Sequence, residues 1–257
     1  MEYFNLTDRN VSRNSIDIQC EDVKGHSSQV EIYTAGVVAA VTALWILAAN
    51  SLVILAPIIS PSLQKKTYIF ITSLAAADII TAFCIHSSLY MEIAVTTDFT
   101  LCKKLKSKYF CRMINVLDIF PLACSLFNLF LITFDRYIGI TRPLKYHIIL
   151  TRRMSLICVS IAWMSAAGFA SINLFWAREY PDGYIACDAR AFTSIHFHLL
   201  GSIFWSFSGC MIVMYYKIYT TIKNSRSINA VGLQQGARVC KMAFITLGMF
   251  LVCWMPS

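Results

Sequence analysis

Residues 32–64, 154–177 and 191–216 contain no Asp, Glu, Lys or Arg, and residues 67–91 and 113–134 contain one carboxylate each, Asp78 and Asp118. Runs of this length decide the fold class, because about 20 mostly apolar residues in a helix cross ~30 Å of hydrocarbon. A β-barrel would instead show segments of about ten residues with alternating polarity. Composition points the same way, with 57% hydrophobic and 14% charged residues where a soluble domain carries about 25% charged. The expected fold is all-α and transmembrane. The spans fall at about 32–59, 67–91, 110–138, 154–176, 193–219 and 237–257, after a polar N-terminal segment, 1–31. The last uncharged run, 242–257, is cut off by the final residue, so the sixth span reads as incomplete.

The formal net charge of +8 could suggest nucleic acid, but the Lys and Arg sit in short links between apolar runs. Retention of those links at the cytoplasmic face explains them better, so no nucleic-acid partner is expected. Of the 22 basic residues, 12 lie in the links after the first, third and fifth spans and at the ends of the spans that border them. Five of the other ten are packed into Lys103, Lys104, Lys106, Lys108 and Arg112, so the positive-inside bias is weak. Two glycosylation sequons, Asn5-Leu-Thr7 and Asn10-Val-Ser12, precede the first span and place the N terminus outside. Eleven of the 14 acids fall in the segments this topology puts outside, in agreement. Residues 1–30 have no apolar core of a signal peptide, so the first span is expected to act as the targeting signal.

No enzymatic constellation is present: there is no G-x-G-x-x-G, no G-K-[ST] phosphate loop and no H-E-x-x-H. His196 and His198 are two apart, about 200° around a helix, so they cannot chelate one metal from one face. The ten cysteines contain no C-x-x-C pair. Cys20, Cys102, Cys111 and Cys187 lie in outer segments, where disulfides persist. The other six fall in or beside the spans and read as small packing residues.

The informative residues are the ionisable ones inside apolar spans, because such groups are costly in lipid and usually mark a function. Asp78 lies near the middle of the second span, in Leu74-Ala75-Ala76-Ala77-Asp78, where small neighbours let other helices approach. It reads either as lining an ion-filled or water-filled cavity or as a neutral, hydrogen-bonded carboxyl. Asp118 is seven residues after Cys111, ~10 Å inside the outer surface at the helical rise. At that depth it can pair with a cation entering from outside. Asp135 and Arg136 stand together at the inner end of the third span, followed by Tyr137 and the run Ile-Gly-Ile-Thr-Arg142-Pro143-Leu144-Lys145-Tyr146. Breaking such a pair would expose a cationic group to a partner.

Together these residues resemble the rhodopsin-like (class A) G-protein-coupled receptors, from about residue 36 to the end of the chain. Asn50 matches the first-helix asparagine, and Leu74 to Asp78 the second-helix L-A-x-x-D. Asp135-Arg136-Tyr137 matches D-R-Y, Trp163 the fourth-helix tryptophan and Tyr215 the fifth-helix tyrosine. Phe250, Cys253, Trp254 and Pro256 match F-x-x-C-W-x-P. The resemblance implies a seven-helix bundle of which six helices are present, a disulfide between Cys111 and Cys187, and a sodium-type site around Asp78 and Ser125. It also implies a coupling switch at Asp135, Arg136, Tyr137 and Tyr215 and an activation pivot at Phe250, Trp254 and Pro256. The place of Asp118 and the run from Arg136 to Tyr146 are most similar to the biogenic amine receptors, where that aspartate holds the ligand's ammonium. The implied partners are a small cationic amine, a heterotrimeric G protein, membrane lipid and a second receptor copy, at the plasma membrane. No cofactor is expected beyond a sodium ion near Asp78.

Several positions depart from that pattern. The fifth-helix proline is replaced by Phe207, and the serines of catechol-binding members align with Leu199, Leu200 and Ile203, which disfavours a catecholamine. The acid that locks the helix-three arginine from helix six aligns with Gly236. Arg136 then has only Asp135 as an evident restraint, and raised basal activity is expected. Helix seven has no counterpart, so the chain reads as a fragment of a longer one or as a truncated product that acts on the trafficking of an intact receptor. A non-amine ligand, peptide or small molecule, is the alternative to an amine. A small transporter would predict inverted repeats, and residues 32–138 and 154–257 show no mutual similarity. The basic inner links read either as contacts to the G protein or anionic lipid, or as topological anchors. The basic cluster from Lys103 to Arg112 has no counterpart in the family pattern.

Overall fold

The computed structural model describes residues 29–60, 66–97, 108–176, 194–224 and Gly248. Among the described residues the chain is helical throughout, in the order α1 (Gln29–Ile59), α2 (Lys66–Thr97), α3 (Lys108–Thr141), α4 (Pro143–Ile149), α5 (Arg152–Trp176) and α6 (Ser194–Asn224). The helices α1, α2, α3, α5 and α6 overlap the first five expected spans, with different ends. The sixth, 237–257, lies outside the described residues apart from Gly248.

Four stretches are long and apolar enough to cross a membrane: Tyr33–Ile59, Lys66–Cys84, Arg112–Thr141 and Arg152–Ile172. α6 is also long enough at 31 residues, and it carries Ser202, Ser206 and Ser208 in its first half and Tyr215, Tyr216 and Tyr219 in its second. Hydroxyls within these helices are made tolerable locally. Thr42, Thr72, Thr81, Thr133 and Ser206 each donate to the carbonyl four residues earlier, at 2.7–3.0 Å. In lipid no water would satisfy those hydroxyls, so bonding back to the helix removes most of the penalty.

Side-chain exposure fits a lipid solvent. Val37, Val38, Val41, Leu44, Trp45 and Leu52 of α1 are all more than 60% exposed, a density of bare apolar surface that water would not tolerate. α5 buries a stripe of alanines instead. Ala162, Ala166 and Ala170 recur every four residues at 7%, 0% and 0% exposure, so neighbouring backbones can approach closely on that face. Thr151 caps α5, its Oγ1 accepting from the Met154 amide at 3.2 Å. α4 starts on Pro143, whose fixed φ suits a first helical position and whose missing N–H costs nothing there.

By internal contacts the chain forms two compact units. The first comprises residues 1–51, 77–123 and 167–198; it holds most of α1, the second half of α2 and the first half of α3. The second comprises residues 52–76, 124–166 and 199–257. Its core is built from Phe70 of α2, Leu126, Leu129, Ile132 and Ile138 of α3, Leu150, and Met211, Tyr215 and Ile218 of α6. Because lipid tails are as apolar as leucine, this core holds by close packing and dispersion rather than by transfer from water.

Candidate functional site

The second unit concentrates its polar groups around the end of α3. Asp135 has no solvent exposure, and a buried carboxylate persists only if its oxygens are paired. Here both are. Its Oδ2 accepts from Arg136 Nε at 2.9 Å and also from Arg136 Nη2, closing the ion pair. Thr67 Oγ1, at the start of α2, donates to the same oxygen at 3.1 Å. Its Oδ1 accepts from the Tyr146 hydroxyl of α4 at 2.8 Å. Arg136 Nη2 in turn donates to Thr67 Oγ1. The guanidinium, 19% exposed, is thus tied to α2 as well as to its neighbour in sequence. Removing one partner of such a pair leaves an uncompensated charge, at a cost of roughly 3–5 kcal/mol.

Two further polar contacts stitch this unit together. Thr133 and Tyr215 meet hydroxyl to hydroxyl at 2.9 Å. Since Thr133 already donates to the Leu129 carbonyl at 2.8 Å, its remaining role toward Tyr215 is as acceptor. Trp163 Nε1 of α5 donates to Ser73 Oγ of α2 at 2.9 Å. Phe207 stands where the sequence comparison expects proline, and α6 runs unbroken through it. Its ring lies 5.1 Å from Phe127 and 5.0 Å from Phe130 of α3, so an aromatic contact occupies the position of the missing kink.

In the first unit Asp118 is exposed on α3 and Asp78 is half-buried on α2. The neighbours of Asp118 in sequence are Leu117, 46% exposed, and Ile119, 7% exposed.

Residues 49–257 match the 7 transmembrane receptor (rhodopsin family) profile. This chain belongs to that family. The fold of that family is a seven-helix membrane bundle, and the long apolar helices described above fit it. Curated relatives include the histamine H2 receptor of Cavia porcellus, 28% identical over 239 residues, covering 87% of this chain and 64% of that protein. The 5-hydroxytryptamine receptor 7 of Xenopus laevis is 29% identical over 197 residues, 74% of this chain and 44% of its own length. The alpha-1A adrenergic receptor of Oryzias latipes is 28% identical over 216 residues, 82% and 43% respectively. The chain thus spans less than two thirds of these relatives.

Within the receptor, the four residues assigned to coupling gather in the second unit: Asp135 and Tyr215 are buried, and Arg136 and Tyr137 are half-buried. Ser125 is 8% exposed and belongs to the second unit, whereas Asp78 belongs to the first. Phe250, Trp254, Pro256, Cys187, Asn5 and Asn10 lie outside the described residues, as do the side chain of Cys111 and most of the basic cluster from Lys103. The sequence reading missed Thr67, Thr133 and Ser73 and gave Tyr146 no role of its own. Each meets a partner 11 to 90 positions away, a separation that no local motif marks. It also left Arg136 with Asp135 as its one evident restraint; the structure adds Thr67 directly and Tyr146 through the shared carboxylate.

Proposed function

We propose that this receptor responds to a small extracellular cation, a biogenic or trace amine, held by Asp118, and signals through a heterotrimeric G protein. The observation that carries this reading is the Asp118 carboxylate, exposed on α3 as the one charged residue of the run 113–134. Relatives whose names specify histamine, 5-hydroxytryptamine and adrenergic ligands support the amine class. A desolvated ammonium–carboxylate contact is charge-assisted, and aromatic neighbours would add cation–π attraction. The hydrophobic Leu199 and Ile203 stand where a catechol would need hydroxyls, so an amine without a catechol is favoured.

The mechanism is a population shift between two arrangements of the bundle, not covalent chemistry. In the resting arrangement Arg136 is held on Asp135. An amine on Asp118 favours the arrangement in which the sixth span, pivoting at Trp254 and Pro256 with Phe250, moves its inner end outward and Arg136 meets the G protein. In this reading the N terminus with Asn5 and Asn10 is extracellular, Cys111 pairs with Cys187, and the receptor resides in the plasma membrane. The Asp78 carboxylate carries the oxygen donors a sodium ion prefers.

The experiment is a panel of protonatable amines applied to cells expressing the complete coding sequence, with second messengers recorded. Asp118→Ala should weaken the response roughly 100-fold or more, the loss typical of removing one partner of a desolvated charge pair, with surface expression unchanged. An undiminished response in the variant would refute the role of Asp118.

A further inference from the structure

Around Asp118, helical geometry turns the burial pattern of α3 into directions. Successive residues of a helix are about 100° apart. Met113 and Leu117 therefore fall on one side of α3, and they are 52% and 46% exposed, as suits a side turned to lipid. Continuing around the helix by about 40°, 60°, 60° and 40°, the side chains met are Pro121, Asp118, Asn115 and Ile119. Pro121 is fully buried, Asn115 is 4% exposed and Ile119 is 7% exposed. Asp118 is exposed between them. Its exposure is thus no continuation of the lipid side, from which Pro121 separates it. It opens instead on a face of α3 that is otherwise packed within the first unit.

Asn115 borders that opening. Its Nδ2 is buried and finds no hydrogen-bond partner among the described residues, so the carboxamide does not use the nearby Asp118 as its acceptor. Side chains at i and i+3 have Cβ atoms about 5–6 Å apart, which puts the donor within one small molecule's length of the carboxylate. A buried donor without an acceptor is costly, more so where lipid rather than water surrounds the helix. Such an atom calls for an acceptor that arrives from elsewhere. A carboxylate accepts and a carboxamide NH₂ donates, so the pair is complementary to a molecule carrying a cation and an acceptor side by side.

We propose that Asn115 is a ligand-binding residue that sets specificity, donating to a hydrogen-bond acceptor carried roughly three or four bonds from the ligand's ammonium. The acceptor class is a hydroxyl, an ether oxygen or a ring nitrogen. This deepens, and rests on, the reading of Asp118 as the partner of the ammonium. An amine without that acceptor leaves Nδ2 as it stands in the ligand-free protein, so it gains the charge contact alone.

The test expresses the complete coding sequence and compares three probes: phenethylamine, its β-hydroxyl derivative phenylethanolamine, and the analogue with a pyridine nitrogen ortho to the ethylamine chain. The two acceptor-bearing amines should activate the unmodified receptor at concentrations roughly 5- to 30-fold lower than phenethylamine, since they pair a donor that is otherwise left bare. In Asn115→Leu, which keeps the volume and removes the donor, the preference should shrink to within about 2-fold, with the potency of phenethylamine itself unchanged. Thermal unfolding of the purified, ligand-free receptor gives an independent readout. Asn115→Leu should unfold at the same temperature or higher, because it deletes an unpaired polar group. A lower unfolding temperature would show that the carboxamide serves the fold and would overturn the proposal. So would an Asp118-dependent response with no acceptor preference, or a preference that survives in Asn115→Leu; either leaves the amine reading standing. If Asp118→Ala leaves all three responses intact, the amine reading fails and this inference fails with it.

Discussion

Asp135 shows how a sequence with few charges uses them. A carboxylate with no exposure would be expensive in apolar surroundings, and it persists because a guanidinium and two hydroxyls converge on it. The Thr133–Tyr215 contact follows the same logic without charge. Thr133→Val and Tyr215→Phe should each lower thermal stability of the purified receptor by about 0.5–1.5 kcal/mol. The double variant should lose less than the sum of the two, because both singles break the same bond. The pH behaviour of Tyr146 follows from its pKa, raised by burial and then by the neighbouring Asp135 charge. Relative to the undocked segment, the docked hydroxyl favours the protonated form, so its contribution is complete below the ordinary value of 10.0 and falls as pH rises past it. The contribution of Tyr146 to protection of the α4 amides should therefore be independent of pH between about pH 6 and 9 and should decline above about pH 10. A transition near neutrality that vanishes in Tyr146→Phe would contradict this.

The helices were legible in the sequence because lipid imposes one rule, an unbroken apolar run, and five such runs met it. Their ends were less legible. α2 runs to Thr97 and α3 to Thr141, beyond the expected 91 and 138, since backbone hydrogen bonding continues a helix past the apolar boundary. α4 was not expected at all; Pro143 is a valid first helical residue, but seven residues are too few to show a period. The alanine stripe of α5 is an element-scale feature with an element-scale consequence. Ala166→Leu should cost about 1–3 kcal/mol by overpacking a site with no free volume. Met164→Leu, at a position 73% exposed, should stay within about 0.5 kcal/mol. Thermal unfolding in detergent separates the two, and equal effects would mean that α5 does not pack through its alanine face.

At the scale of the whole molecule, family membership rested on motifs spread along the chain, and the match over residues 49–257 agrees with it. Asp78, Asp118, Asp135 and Arg136 were visible as ionisable groups in apolar spans, and Tyr215 through the family resemblance. What stayed hidden were Thr67 and Tyr146 beside Asp135, Thr133 beside Tyr215 and Ser73 beside Trp163, ordinary residues that acquire roles only when segments apart in sequence meet. The proposed function draws on an exposed carboxylate in the first unit and on a restrained arginine in the second. The central claim is that the charge on the ligand, met by the charge on Asp118, drives signalling. The most direct measurement compares each active amine with its uncharged N-acetyl derivative, on the unmodified receptor and on Asp118→Asn, reading G-protein activation. The account predicts that acetylation and the substitution each abolish most of the response, and that applying both loses little more than either alone. A neutral derivative that activates as well as its parent amine, or an Asp118→Asn receptor that still prefers the charged form, would contradict it.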